Sequence, residues 1–350
     1  MKPFVIIGAG ILGASTAYHL AKKGASVLVI DKKDQGEATR SAAGIISPWL
    51  SQKKNETLYN IVKNGANYYP KLIHELSDIG INNTSYAQVG SLHLHKSDDK
   101  LDKMIADVGE RRLGSPEINE IYKLSGREVE QSVSIMSDRM GAIKISGGAR
   151  INGDLMRQGL IEGATQYGAE VIQGEAEFMD EKTIKVNGAQ VEAEKVIVTS
   201  GAWAGKLLKQ VGITLNVTSQ KTQILHLEMP NNDPSKWPAI MLPNNKYIVG
   251  FEEHKVFVGS THQENYDFDS TSSANGVFEI LKSAFKFAPG LKEAKFIESR
   301  VGFRPMLPEK APFIGTLPGS ERILVANGLG ASGITSGPYL GKEIANMISV

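Results

Sequence analysis

No cysteine occurs anywhere in the 350 residues. That absence excludes disulfides, thiolate zinc sites, a redox C-x-x-C pair and any cofactor attached through sulfur. A bias in charge is missing too: 39 basic and 38 acidic side chains leave a net charge of +1. Such a balance carries no electrostatic footprint for nucleic acid or for a polybasic membrane contact. No apolar run approaches the length of a spanning helix, so no integral membrane segment is expected. The apolar start runs directly into a glycine turn. It reads as a first strand and not as a secretory leader, which makes a cytoplasmic location the expectation. Internal repeats, low-complexity tracts, a G-x-S-x-G elbow and an acid–base dyad are all lacking. His93 and His95 share one face of an alternating segment, but no acid stands at ligand spacing. No metal site is expected there. What is present is ordinary in bulk: 41% hydrophobic and 22% charged residues. The length favours two domains.

The informative segment is FVIIGAGILGASTAYHLAKKGASVLVID, residues 4–31. An apolar run at 4–7 predicts a buried parallel strand. Gly8, Gly10 and Gly13 then form G-x-G-x-x-G, a helical pattern runs to Lys23, and Gly24 stops it. A second apolar run at 27–30 ends in Asp31. Strand, glycine turn, helix, strand and acid in this order make the dinucleotide-binding βαβ unit. Gly8 permits the turn, Gly10 admits a pyrophosphate close to backbone, and Gly13 lets the helix lie on the strand. The helix start offers free N–H groups to phosphate. Asp31 is placed to accept hydrogen bonds from a ribose.

Beyond it, spacing predicts helices over 58–76, 101–113, 153–167 and 273–287. Residues 84–95 alternate as a strand does, and 141–145 reads as a short strand. Residues 170–203 read as a small antiparallel meander with a turn at Asn187-Gly188, feeding an apolar strand at 196–199. Strand-like segments return over 220–262. The chain ends as strand, glycine loop and helix. A nucleotide-type pattern thus stands at both ends, with strand-rich segments between. The expected class is α/β: a Rossmann-like domain from 1–80, 141–218 and 296–350, interrupted by a second domain from 81–140 and 219–295 on a largely antiparallel mixed sheet.

Four further segments, read with GAGILG and Asp31, resemble the D-amino-acid oxidase superfamily of flavoproteins, which includes glycine oxidase, sarcosine oxidase and D-amino-acid dehydrogenases. They are ATRSAAGI (38–45), VIVTSGAWAGKL (196–207), RVGFRPMLPEKAPFIG (300–315) and NGLGASGITSGP (327–338). The resemblance runs collinearly over the whole chain. It implies FAD, non-covalently held, and oxidation of a small amino acid or secondary amine. Hydride passes from the α-carbon to flavin N5, and the imine hydrolyses to an oxo acid. Oxygen or an electron carrier would be the acceptor, and a homo-oligomer is compatible with it. Two alternatives stay open: a flavin dehydrogenase of a hydroxy acid or polyol, and a non-catalytic flavin-binding partner subunit.

The resemblance also implies a cofactor set. It comprises Gly8, Gly10, Ile11, Leu12, Gly13, Asp31 and Lys32, then Arg40, Ser41, Ala42, Ala43, Gly44 and Ile46. Val171 is its adenine-side strand residue, followed by Ser200, Gly201 and Trp203. The last loop contributes Gly328, Leu329, Gly330, Ala331, Ser332, Gly333, Ile334 and Thr335. Small residues at 41–44 let backbone approach a ring or phosphate. Amides at 328–335 would face the side of the flavin that becomes negative on reduction. Arg304, in G-F-R-P, matches the arginine that pairs with a substrate carboxylate and borders the cofactor. Tyr247 matches a tyrosine on the same carboxylate. His262 follows a strand that often faces the pocket, and Trp49 is a candidate for its wall. Leu329 stands where relatives often carry His, and Ala331 and Ser332 where glycine-oxidase-like members carry Arg and Asn. These departures leave the pocket less polar and weigh against glycine as substrate.

Overall fold

The computed structural model describes residues 2–50, 55–264, 267–316, 318 and 320–349. Its first sheet has six strands in the order Phe313–Thr316, Ile323–Asn327, Lys195–Val198, Phe4–Ile7, Val27–Asp31 and Glu170–Gln173. All neighbours are parallel except the outermost pair, Phe313–Thr316 with Ile323–Asn327. A parallel sheet is buried on both faces, which is why its strands read as continuous apolar runs. Ile6, Val29, Ile197 and Leu324 face a layer of helices that includes Ile11–Lys22, Glu56–Ser77, Gly153–Gln166 and Gly333–Met347. Val5, Ile7, Leu28, Ile30 and Val196 face the other way, onto a three-stranded meander of Ala176–Phe178, Thr183–Val186 and Ala189–Glu192. Its turn at Asn187 and Gly188 takes positive φ at both residues (50° and 85°), as expected of an Asn-Gly hairpin.

The second sheet has eight strands: Lys295–Met306, Thr218–Glu228, Lys255–Gly259, Tyr247–Gly250, Ala239–Met241, Ser91–His95, Gly141–Ile145 and Ile121–Leu124. Every neighbouring pair is antiparallel except Ala239–Met241 with Ser91–His95. Leu92, Leu225, Ile240, Ile248 and Val258 pack outward under the helices Ala274–Phe285 and Gly126–Ser132. Ile224, Tyr247, Val249 and Phe257 face inward, against Ala43 and Ile45 of the loop that leaves the first sheet.

Three expectations change. Gly141–Ile145 and Lys295–Met306 belong to the second sheet, so the boundaries drawn at 141 and 296 split a single sheet. Long antiparallel registers, Ser91 to His95 against Ile145 to Gly141 and Thr218 to Glu228 against Met306 to Lys295, hold them there. Glu170–Gln173 leaves the meander and joins the first sheet beside Val27–Asp31. The helix Gly126–Ser132 was not expected from periodicity. Its signal is a capping box, in which Ser125 and Glu128 each bond the other's backbone.

The first and last helices cross closely. A Cβ at Gly341 would stand 2.6 Å from Ser15, and the Ser15 hydroxyl donates to the Pro338 carbonyl at 2.8 Å. Small residues at the crossing bring the two helix starts to one place. Among the described residues no helix is long and apolar enough to cross a membrane.

Candidate active site

A cavity of about 530 Å³ lies between the strand ends of the first sheet and the inward face of the second. The first glycine turn reaches it with Gly8, Gly10, Ile11 and Leu12, and the loop after Asp31 with residues 41–44. Ser200, Gly201 and Trp203 follow the strand Lys195–Val198, and residues 329–335 close the wall. Asp31 and Lys32 line it as well. Segments more than 300 residues apart in the chain therefore meet there, because parallel strands present their C-terminal ends on one side.

The helix starts explain what this wall offers. Five helices begin with a side-chain cap: Asn55, Ser97, Ser125, Asn152 and Ser273 each accept from a first-turn N–H. The helices Ile11–Lys22 and Gly333–Met347 have no side-chain cap and no acid in the first turn. Both begin on the cavity wall. Apart from Ile11 N–H, which Thr39 accepts, their free first-turn amides and positive dipole ends are left to whatever fills it. Gly13 is glycine for the fold, since a Cβ there would lie 1.9 Å from the Gly8 carbonyl oxygen. Gly10 is different. Its φ of −64° suits any residue, and a Cβ would meet only Thr39 Oγ1, at 3.4 Å. Its place on the cavity wall supplies the reason for glycine.

Asp31 accepts hydrogen bonds from the backbone N–H of Ala9 and, at 2.7 Å, of Lys33. It therefore braces the glycine turn while still lining the cavity. Thr39 accepts from Ile11 N–H at 3.0 Å. Asn327, fully buried, donates to the Gly201 carbonyl (2.8 Å) and accepts from Gly328 N–H (2.7 Å), tying two glycine loops together. Neither Thr39 nor Asn327 was anticipated. The signal for Asn327 was legible, as a polar residue ending the apolar strand ILVAN.

At the other end the wall is made by the second sheet. Arg304 donates to Gln220 Oε1 at 3.4 Å, its one hydrogen-bond partner among the described residues. Burial lowers its pKa, with Tyr247 in partial opposition, and a guanidinium stays charged all the same. Tyr247 is buried and its hydroxyl has no hydrogen-bond partner among the described residues. Burial raises its pKa against the pull of Arg304, so it stands as a neutral phenol. His262 is exposed on the wall, where crowding by protein and then the Arg304 and Lys246 cations hold its pKa to about 4. Every acid lining the cavity (Asp31, Asp34, Glu37 and Glu175) belongs to the dinucleotide end.

Several expected residues lie off the wall. Ile46 is buried in the core, paired in a short strand with Ala149. Gly328 sits behind the wall at φ 78°, against Leu307. Arg40 is exposed on a neighbouring cleft with Asp154 and Arg157. Val171 is on the outermost strand with its side chain 44% exposed, neither core nor cavity. Gly174, Glu175 and Ala176, just beyond it, reach the cavity instead. Trp49 is buried, with its indole N–H on Glu117 Oε1 at 3.2 Å. His93 is buried beside Ser47 and Ser91.

A long cavity with backbone donors at one end and a lone cation at the other is the site of a dinucleotide-dependent oxidoreductase. The chain matches the FAD dependent oxidoreductase (DAO) family over residues 4–347 and belongs to it. It is 44% identical to the uncharacterized oxidoreductase YurR of Bacillus subtilis (strain 168), over 99% of this chain and 95% of that one. It is 28% identical to a glycine oxidase of Bacillus licheniformis, over 98% and 92%. The solved structure of iminodiacetate oxidase (IdaA) from Chelativorans sp. BNC1 superposes with a TM-score of 0.93 at 36% identity, covering 98% of this chain and 94% of that one. The cofactor of the family is FAD, and the wall fits it. Two helix starts whose N-cap side chains make no cap face the cavity, Gly10 keeps it clear, and the buried Ser200 hydroxyl on it has no hydrogen-bond partner among the described residues.

Proposed function

We propose that this flavoenzyme oxidises a small amino acid or secondary amine bearing a free carboxylate. The observation that carries this reading is Arg304, a cation with no acidic partner among the described residues, in the part of the cavity that no acid lines. A half-buried cation without a counter-charge calls for an anionic ligand. Names of relatives point the same way, towards glycine and iminodiacetate.

FAD, non-covalently held by the glycine turns and helix starts, supplies the hydride acceptor. The protein's own part is orientation and electrostatics. Arg304 grips the carboxylate with two parallel N–H donors, and Tyr247 donates its phenol O–H to the same group. This fixes which α-C–H is presented for transfer. The substrate amine must be neutral, because its lone pair assists hydride loss. Among the described residues no carboxylate lines that end to hold an ammonium. The imine product hydrolyses to an oxo acid and an amine.

His262 favours one second reading. Held neutral at physiological pH, it could take the proton of an alcohol, as a hydroxy-acid dehydrogenase requires. Anaerobic mixing with a panel of amino acids, secondary amines and hydroxy acids, read as flavin bleaching, decides between them. Amines should bleach the flavin. Bleaching by hydroxy acids alone would overturn the amine reading.

A further inference from the structure

We propose that Ser47 is a substrate-recognition group, which bonds a hydrogen-bond-accepting arm on the nitrogen of a secondary amino acid at the end of the pocket away from Arg304. The inference rests on the amine reading above. It narrows the substrate to an N-substituted amino acid with a second polar end.

Ser47 lines the cavity, as do the apolar Pro48, Val62 and Met241. Its hydroxyl is not free to rotate idly. Ser47 Oγ lies 2.8 Å from Ser91 Oγ and 3.2 Å from His93 Nε2, and Ser91 Oγ lies 3.2 Å from the same nitrogen. Ser91 is fully buried and His93 nearly so. The three atoms make a closed triangle with one member at the cavity.

Sheet register sets the triangle opposite the carboxylate end. Met241 pairs with Tyr247 on one side and with His93 on the other. The three share a row on the inward face, and two strand spacings put His93 roughly 10 Å from Tyr247. Arg304 lies the other way, on the edge strand Lys295–Met306. A substrate held at Arg304 and Tyr247 by its carboxylate therefore extends its other end towards Ser47.

Burial holds the pKa of His93 to about 4, so the ring is neutral with one N–H. That proton is assigned to Nε2 as part of the proposal, so that Nε2–H and the hydroxyl of the fully buried Ser91 both donate to Ser47. The proton of Ser47 then has no acceptor within the triangle and is directed to the cavity. Ser47 becomes an oriented donor, and His93 and Ser91 are positioning residues. The arm it suits is an acceptor, such as a carboxylate or an ether or hydroxyl oxygen.

The test compares holoenzyme with Ser47→Ala on two amines of like length, iminodiacetate and N-ethylglycine, of which only the first carries an acceptor on its arm. Loss of a hydrogen bond to a charged group should lower the iminodiacetate to N-ethylglycine ratio of kcat/KM by about 10- to 100-fold. N-ethylglycine itself should barely change, and FAD content and melting temperature should match wild type. His93→Phe should raise KM for iminodiacetate and spare kcat, whereas His93→Gln should restore most of the affinity. An unchanged ratio in Ser47→Ala, or an equal loss with both amines, would overturn the proposal. If neither amine bleaches wild-type flavin, the amine reading fails on its own. Perturbation of the flavin spectrum by each compound then still decides whether Ser47 discriminates between them. Absence of any binding by iminodiacetate would sink both.

Discussion

The two ends of the cavity are built on different principles. At the dinucleotide end the groups on offer are backbone amides, presented by glycine turns and two uncapped helix starts, and side chains mostly brace them from behind. Asp31 and Asn327 do so through bonds to Ala9, Lys33, Gly201 and Gly328. At the substrate end the second sheet offers side chains: Arg304, Tyr247, His262 and Ser47, each from a different strand or loop. A backbone site is written in short contiguous motifs and is damaged by adding atoms. A side-chain site is scattered along the chain and is damaged by removing them. The first suits a constant cofactor, and the second can be re-specified one residue at a time.

The largest effect should come from the side-chain end. Arg304→Ala is expected to lower kcat/KM on a carboxylate-bearing amine by about 30- to several thousand-fold, since truncating one partner of a buried charge pair costs about 2–5 kcal/mol. FAD content should stay normal, and Arg304→Lys should recover only part of the loss. Loss of FAD or of fold in Arg304→Ala would show that the two ends are not separable. Gly10→Val attacks the backbone end by addition. Crowding of about 1–3 kcal/mol predicts roughly 5- to 150-fold weaker FAD binding, measured by titrating apoprotein, with the fold intact by circular dichroism. Full retention of FAD would show that the cofactor does not need a glycine at position 10.

A pH profile probes the substrate alone. His262 is held to about 4 and Tyr247 is raised above its ordinary value of 10.0, so neither titrates between pH 6 and 9. The anaerobic rate of flavin reduction should therefore rise about tenfold per pH unit until the substrate ammonium has lost its proton. A flat profile across that range would count against amine oxidation. Tyr247→Phe should give a smaller change than Arg304→Ala. Removing one hydrogen bond to a carboxylate, about 1.5–3 kcal/mol, predicts a roughly 10- to 150-fold rise in KM. A change in FAD content instead would move Tyr247 to the cofactor end.

Much of the fold was legible because its signals are local. Asn187-Gly188 announced its hairpin, and the runs ending in Ile7, Ile30 and Val198 announced buried parallel strands. The misplacements share one cause. Residues 141–145 and 170–173 are short segments whose partners lie far off in sequence, Ser91–His95 in the first case and Val27–Asp31 in the second. Nothing within either segment states which sheet will receive it. The exposure of Val171 could not be read for the same reason: an edge position leaves one face of a strand in solvent, and edges are a property of the assembled sheet. The bond of His93 to Ser47 could not be read, because it joins a loop to a strand 46 positions further along the chain.

The sequence by itself determined the dinucleotide end. Residues 4–31 contain strand, turn, helix and acid, and interactions this short in range leave few arrangements open. It also determined, through GFRP, which arginine to watch. Tertiary structure alone decided the substrate end. Residues 47, 93, 241, 247, 262 and 304 come together at this end because sheet register, antiparallel between Tyr247 and Met241 and parallel between Met241 and His93, carries those three residues into one row. A shift of one residue in that pairing would turn the side chains of that row to the opposite face, since strand side chains alternate with a period of two.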